Sequence, residues 1–172
     1  APAETLLAIA DLPEADGKLI FNTGAGASNL RGDACRANVL HTLPSTGMRT
    51  DALAQMFVKK RWTELVMIAG GHPQDQAYAA AMEASLAKFK LSLKGRKEWR
   101  FDADMRRNAA QEVPLFTQDF GDYDALIIAD ELRDFGRYVL YNTWEPRPVA
   151  GSEGLQAEAW GAVVEQWGAA QL

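Results

Sequence analysis

The chain has 172 residues, a net charge of −5, 48% apolar and 24% charged residues, a composition that supports one packed domain, or a domain with part of another, and excludes a disordered chain. Its uncharged apolar runs fall far short of the ~20 residues that a membrane-spanning helix needs, and its basic residues form no block suited to nucleic acid. A single cysteine, Cys35, excludes an internal disulfide and a thiolate metal cage.

Taken in order, residues 3–10 read as a short helix and 18–22 as a strand after the Asp16-Gly17 turn. The Ala-Pro-Ala start fits the remainder of a cleaved export signal and an arbitrary start equally well. The stretch 23–38, rich in glycine and small polar residues, lies at that strand's C-terminal end, where backbone N–H donors can wrap a polar group. Gly24 and Gly26 give G-x-G, but Asn29 stands where the dinucleotide fingerprint needs its third glycine, and no G-K-[ST] follows. Arg31-Gly32-Asp33 reads as a chance tripeptide rather than an adhesion motif.

Residues 39–43 form a second short strand, and Pro44-Ser45-Thr46 marks a turn before a helix over 49–61. Leu53, Met56 and Phe57 make its apolar face, and Lys59-Lys60-Arg61 complements the dipole at its C-terminus. The run 64–69 reads as a buried strand closed by Gly70-Gly71-His72-Pro73; a helix over 75–89 follows, with Asp75 as its N-cap and Tyr78, Met82, Leu86 and Phe89 as its inward stripe. Alternation over 91–101 suggests a strand, and 102–120 a helix broken near Pro114.

The stretch 123–151 carries the densest polar and aromatic functionality. Residues 125–129 are a continuous apolar run, read as a strand buried on both faces and ending in Asp130 and Glu131; 138–141 reads the same way and delivers Asn142, Thr143 and Trp144 to its end, before Pro146-Arg147-Pro148 enforces extended chain. An amphipathic helix over 154–172 closes the pattern. Alternating strands and helices of this kind predict an α/β fold of three αβα layers around one mostly parallel, Rossmann-like sheet, with ligand chemistry beyond the carboxyl ends of its strands.

Chemistry is thinly represented. His41 and His72 are the only histidines, which excludes a multi-histidine zinc site; no metal is implied. Asp119, Asp122 and Asp124 lack the glycine and distal glutamate of a calcium loop and read as a solvated turn. No G-x-S-x-G elbow is present, so no catalytic residue is assigned. Asp130 and Glu131 are the only candidates for acid/base work, and adjacent residues at a strand end point in opposite directions. The bland reading is that Asp130 caps the following turn. Trp144, beside Asn142, Thr143 and Arg147, suits a ligand platform as well as a packing role.

The segments NLRGDACRANVLHTLPS, DALAQMFVKKRW, ADELRDFGRYVLYNTWEPRPVAGSEGL and EQWGAAQL resemble type I periplasmic binding proteins of the branched-chain amino-acid kind. Within these the chain is most similar to the ABC-transporter substrate-binding proteins associated with PQQ-dependent alcohol dehydrogenase systems. The resemblance implies two α/β lobes closing over a small ligand, no catalysis and no bound cofactor, a periplasmic location and ABC permease subunits as partners. By it, residues 1–27 correspond to the end of an N-terminal lobe and 28–172 to an incomplete C-terminal ligand-binding lobe, which raises the expectation of self-association through the truncated lobe. The implied contacts are Thr23 and Ser28 from the first lobe, with His72, Asp75, Asp130, Glu131, Tyr141, Asn142, Thr143 and Trp144 from the second; Arg147 joins them as a guanidinium beside Trp144. PQQ itself enters as a candidate ligand, with a smaller neutral or cationic molecule as its rival. Two other functions stay open: a Rossmann-like hydrolase using Asp130 or Glu131, and a non-binding fragment that assembles with another chain.

Overall fold

The structure, a computed structural model, describes residues 3–99, 119–132, 135–136 and 147–152. The expected strand over 138–141, the helices over 102–120 and 154–172, and the candidates Tyr141, Asn142, Thr143 and Trp144 lie outside the described residues, or largely so. Two compact units divide the chain, Ala1–Ala52 and Leu53–Leu172.

In the first unit, helix α1 (Ala3–Ala10), strand β1 (Ile20–Asn22) and strand β2 (Val39–His41) surround a small core of Leu6, Ala10, Ala25, Leu30 and Val39. β1 and β2 pair in parallel with Phe21 opposite Leu40. Those two side chains face outward, 60% and 43% exposed, while Ile20 and Val39 turn to the core. Gly17 supplies the left-handed turn before β1, at φ 65°. Helix α2 (Thr46–Lys60) begins in this unit. It starts three residues before the expected position because Ser45 caps it, its Oγ accepting the N–H of Met48 at 3.2 Å.

The second unit is a parallel sheet in the order β4-β3-β5-β6, built from β3 (Leu65–Gly70), β4 (Leu93–Trp99), β5 (Ala125–Ala129) and β6 (Val149–Gly151). Every residue of β3 and β5 is buried, as continuous apolar runs in a sheet covered on both faces require. Alternation sorts them. Leu65, Met67, Ala69, Ala125, Ile127 and Ala129 meet Ala54 and Phe57 of α2 and Tyr78, Ala79, Met82 and Leu86 of α3 (Pro73–Lys88). Val66, Ile68, Leu126 and Ile128 form the opposite cluster with Trp99, Tyr123, Phe135 and Val149, where the Trp99 and Phe135 rings stack at 5.2 Å. Each fully buried aliphatic side chain contributes about 1.5–3 kcal/mol relative to exposure.

Both longer helices stop by the same device. Arg61 and Lys90 sit at φ 60° and 59°, and the N–H groups of Trp62 and Leu91 reach back to the carbonyls of Phe57 and Leu86, as in a Schellman cap. Among the described strands β4 lies at one edge of the sheet, and its cations are neutralised: Lys94 pairs with Glu64 at 3.2 Å, Arg96 with Glu83 at 2.6 Å and Lys97 with Asp119 at 2.9 Å.

The α/β class with parallel strands is as expected, with two corrections. Among the described residues the strands form two sheets, and the unanticipated β6 follows Pro148 directly. Asp75 is not the N-cap of α3: His72 holds that position, Pro73 opens the first turn, and Asp75 is the third helical residue.

Candidate functional site

In the first unit Thr23 and Ser28 both expose their side chains. Part of the loop between them is tied to itself. Asn22, 3% exposed, turns into the loop: its Oδ1 accepts the N–H groups of Gly24 at 3.2 Å and Ala25 at 2.8 Å, and its Nδ2 donates to the Ala25 carbonyl at 2.7 Å. The first N–H groups of α2 are likewise taken, Thr46 donating to the Gly26 carbonyl at 2.7 Å and Gly47 to Ser28 Oγ at 3.0 Å. Two of the donors in this loop, at Gly24 and Ala25, are thus held by the loop's own side chain. Asn22 is missing from the sequence-derived candidates; its signal is an asparagine ending a strand before glycine, the setting of an Asx turn. Arg31 of the Arg-Gly-Asp tripeptide donates to the Leu43 carbonyl, a structural role.

In the second unit, the ends of β3 and β5 bring four candidates together. His72, half-buried, and Asp75, fully buried, follow β3; Asp130, fully buried, and Glu131 follow β5. Asp75 links the two ends. Its Oδ1 accepts the N–H of Glu131 at 2.7 Å and its Oδ2 that of His72 at 3.3 Å, while the neighbouring Gln76 donates to the Gly70 carbonyl at 2.6 Å. Burial raises the Asp75 pKa above its ordinary value, the Glu131 amide opposes that shift, and the charge of Asp130 adds to it.

Asp130 turns inward. Its Oδ2 accepts the N–H groups of Phe135 at 3.0 Å and Gly136 at 2.7 Å, and its own N–H donates to Ser152 Oγ at 2.9 Å. This is the capping role that the bland reading assigns it, and a carboxylate oxygen already holding two amides is ill placed to shuttle protons. Ser152, 3% exposed, ties the end of β6 to the same corner and carries no sequence signal of its own. Among the described residues no group of histidine, cysteine and carboxylate side chains is arranged to hold a metal ion.

Arg147 is elsewhere. It precedes β6 rather than ending a strand, so it lies at the N-terminal edge of the sheet, where Nη1 donates to the Tyr123 carbonyl at 3.0 Å and Nη2 pairs with Asp122 at 3.1 Å. Its guanidinium sits 5.4 Å from the Tyr123 ring centroid. The five residues of β5, at ~3.3 Å each, put roughly 16 Å between that edge and Asp130. The acidic turn beside it is not merely solvated either: besides the partners of Asp119 and Asp122, Asp124 Oδ2 accepts the N–H groups of Thr63 at 2.8 Å and Glu64 at 2.9 Å.

No protein-family model matches this chain, and no curated protein does. Solved structures do. An ABC transporter substrate-binding protein from Desulfitobacterium hafniense, in complex with Leu, superposes with a TM-score of 0.67 at 17% identity over 90% of this chain and 44% of its own. A branched-chain amino acid ABC transporter periplasmic ligand-binding protein from Burkholderia xenovorans gives 0.64 at 18% identity over 88% of this chain and 40% of its own. A periplasmic binding protein from Burkholderia mallei gives 0.51 at 16% identity over 75% and 33%. The chain thus spans less than half the length of each, and what it shares with them is the fold: helices flanking mostly parallel strands, as in a lobe of these binding proteins.

Proposed function

We propose that this chain is the solute-binding component of an ABC transport system, working in the periplasm with permease subunits and performing no chemistry. One observation carries the reading. His72, Asp75, Asp130 and Glu131 converge at the carboxyl ends of two adjacent parallel strands, which is where open α/β sheets hold ligands, on a fold also found in substrate-binding proteins. The engagement of Asp130 with two backbone amides weighs against the rival hydrolase.

The solute belongs, in this reading, to PQQ-linked alcohol oxidation. The position of Arg147 narrows the choice between PQQ and a smaller compound. With that guanidinium committed to Asp122 and Tyr123, the corner at the strand ends holds a partly exposed Glu131 beside the buried Asp75 and Asp130, an acidic setting that disfavours a polyanionic quinone and favours a small neutral or cationic solute. Titrating the protein with PQQ, with small alcohol-oxidation products and with leucine, while following thermal unfolding and product formation, tests this. A solute at one hundred times its dissociation constant raises stability by about 2.7 kcal/mol. Turnover of any of them, or the absence of a saturable shift with all of them, overturns the reading.

A further inference from the structure

The β3 end and the β5 end are joined by one side chain. Asp75 belongs to α3, yet its strongest bond is to the amide of Glu131, far along the chain, at 2.7 Å; its other oxygen closes on the His72 amide at 3.3 Å. Gly70 leaves the room for this, since a Cβ there would overlap the Asp75 carboxylate. The whole side chain is fully buried. We propose that Asp75 is a positioning residue, a clasp that fixes the backbone at Glu131 and tightens or slackens with its own protonation.

The direction follows from the groups around it. Closing the clasp takes the carboxylate out of water and brings it near Asp130, itself fully buried at the end of β5; Glu98 of β4 lies beside Gly71. Against these stand the amides of Glu131 and His72 and the His72 imidazole, which favour the charged form. Burial is the largest influence and the balance is upward, so the closed clasp binds its proton more tightly than an open, hydrated Asp75. By linkage the closed form gains at low pH and gives ground as pH rises and Asp75 ionises. That the movement bears on a bound solute rests on the reading above; the clasp itself does not.

Amide hydrogen exchange in the 172-residue protein, with no ligand added, tests it. Protection of the Glu131 amide, corrected for the intrinsic pH dependence of exchange, is expected to fall as pH rises through the Asp75 titration and to level off once the Asp75 carboxyl resonance shows it ionised. Asp75→Asn should leave Glu131 protection flat with pH. Asp130→Asn, which keeps an oxygen for the Phe135 and Gly136 amides, should move the wild-type midpoint to lower pH. Flat protection in the wild type, or an unchanged profile in Asp75→Asn, overturns the proposal. If Asp75→Asn does not fold, the Asp130→Asn midpoint decides, and one that fails to move down overturns the proposal equally.

Discussion

Asp124 and Glu64 hold each other by reciprocal bonds: the Asp124 N–H donates to the Glu64 carbonyl at 2.7 Å, and the Glu64 N–H donates to Asp124 Oδ2 at 2.9 Å. The same carboxylate oxygen also takes the Thr63 amide, so one side chain sets the entry points of β3 and β5 side by side. These amides hold the Asp124 carboxyl below its ordinary pKa, with help from Arg147 and Lys94. Because the folded value is the lower one, this stabilisation is complete above the unfolded carboxylate range and is lost as pH falls through the folded value. Asp124→Ala should cost about 1 kcal/mol at neutral pH, a modest figure because the site is open to solvent. Urea unfolding should find wild type and mutant converging on acidification.

Gly70→Ala should be far costlier than its size suggests. The new Cβ overlaps the Asp75 carboxylate, so the bonds to His72 and Glu131 must loosen together; a loss of about 2–3 kcal/mol is expected. Solute affinity should fall with it. Chemical denaturation with a binding titration checks both, and a binding curve unaltered by a mutation that does destabilise the fold would detach Asp75 from the site.

Gly151→Ala acts at the same carboxyl edge, on β6. Its Cβ would collide with the backbone carbonyl of Ile128, which already accepts the Ser152 N–H at 2.9 Å, and backbone cannot swing aside as a side-chain tip can. We expect about 3 kcal/mol or more of destabilisation, with loss of amide protection concentrated at residues 149–152.

Arg147→Ala is expected to spare solute binding and to lower stability by about 0.5–1 kcal/mol, the scale of one exposed ion pair with an aromatic face beside it. Isothermal titration against the preferred solute separates the two positions it has been given: a tenfold loss of affinity would return Arg147 to the site.

Asn22→Ala should unlatch the loop of the first unit. It removes the acceptor for two amides and a donor for the Ala25 carbonyl at a buried position, with an expected cost of about 2–3 kcal/mol. A mutant as stable as the wild type in urea would show that water replaces these bonds at little cost.

The sequence made some of this plain and hid the rest for physical reasons. The runs ending at Gly70 and Ala129 announce themselves because a strand buried on both faces has no polar positions to confuse it, and the stripe Tyr78, Met82, Leu86 steps by four residues, close enough to the helical period to mark one face. β6, only three residues long, is shorter than any periodicity can register. That omission misplaced Arg147, since a residue after an assumed strand and a residue before an unseen one belong at opposite edges of a parallel sheet. The role of Asp75 escaped for a different reason: Pro73 at the first helical position is a local signal, whereas its partner Glu131 is fixed only by strand order, and strand order is not written in any local pattern.

The pairing of Leu65 with Ala125 has a kinetic side. These strands lie side by side in the finished sheet but 60 residues apart along the chain, the separation of Glu64 from Asp124, and drawing such ends together costs roughly 3–4 kcal/mol of chain entropy before any contact repays it. β4 arrives sooner, so on a chain emerging from the ribosome one flank of β3 acquires its neighbour while the other, the wholly apolar LVMIAG, waits for residue 125 and beyond. Until then this run is an open strand edge with nothing to blunt it, and the concentration at which the nascent protein escapes aggregation is set by how quickly β5 reaches it.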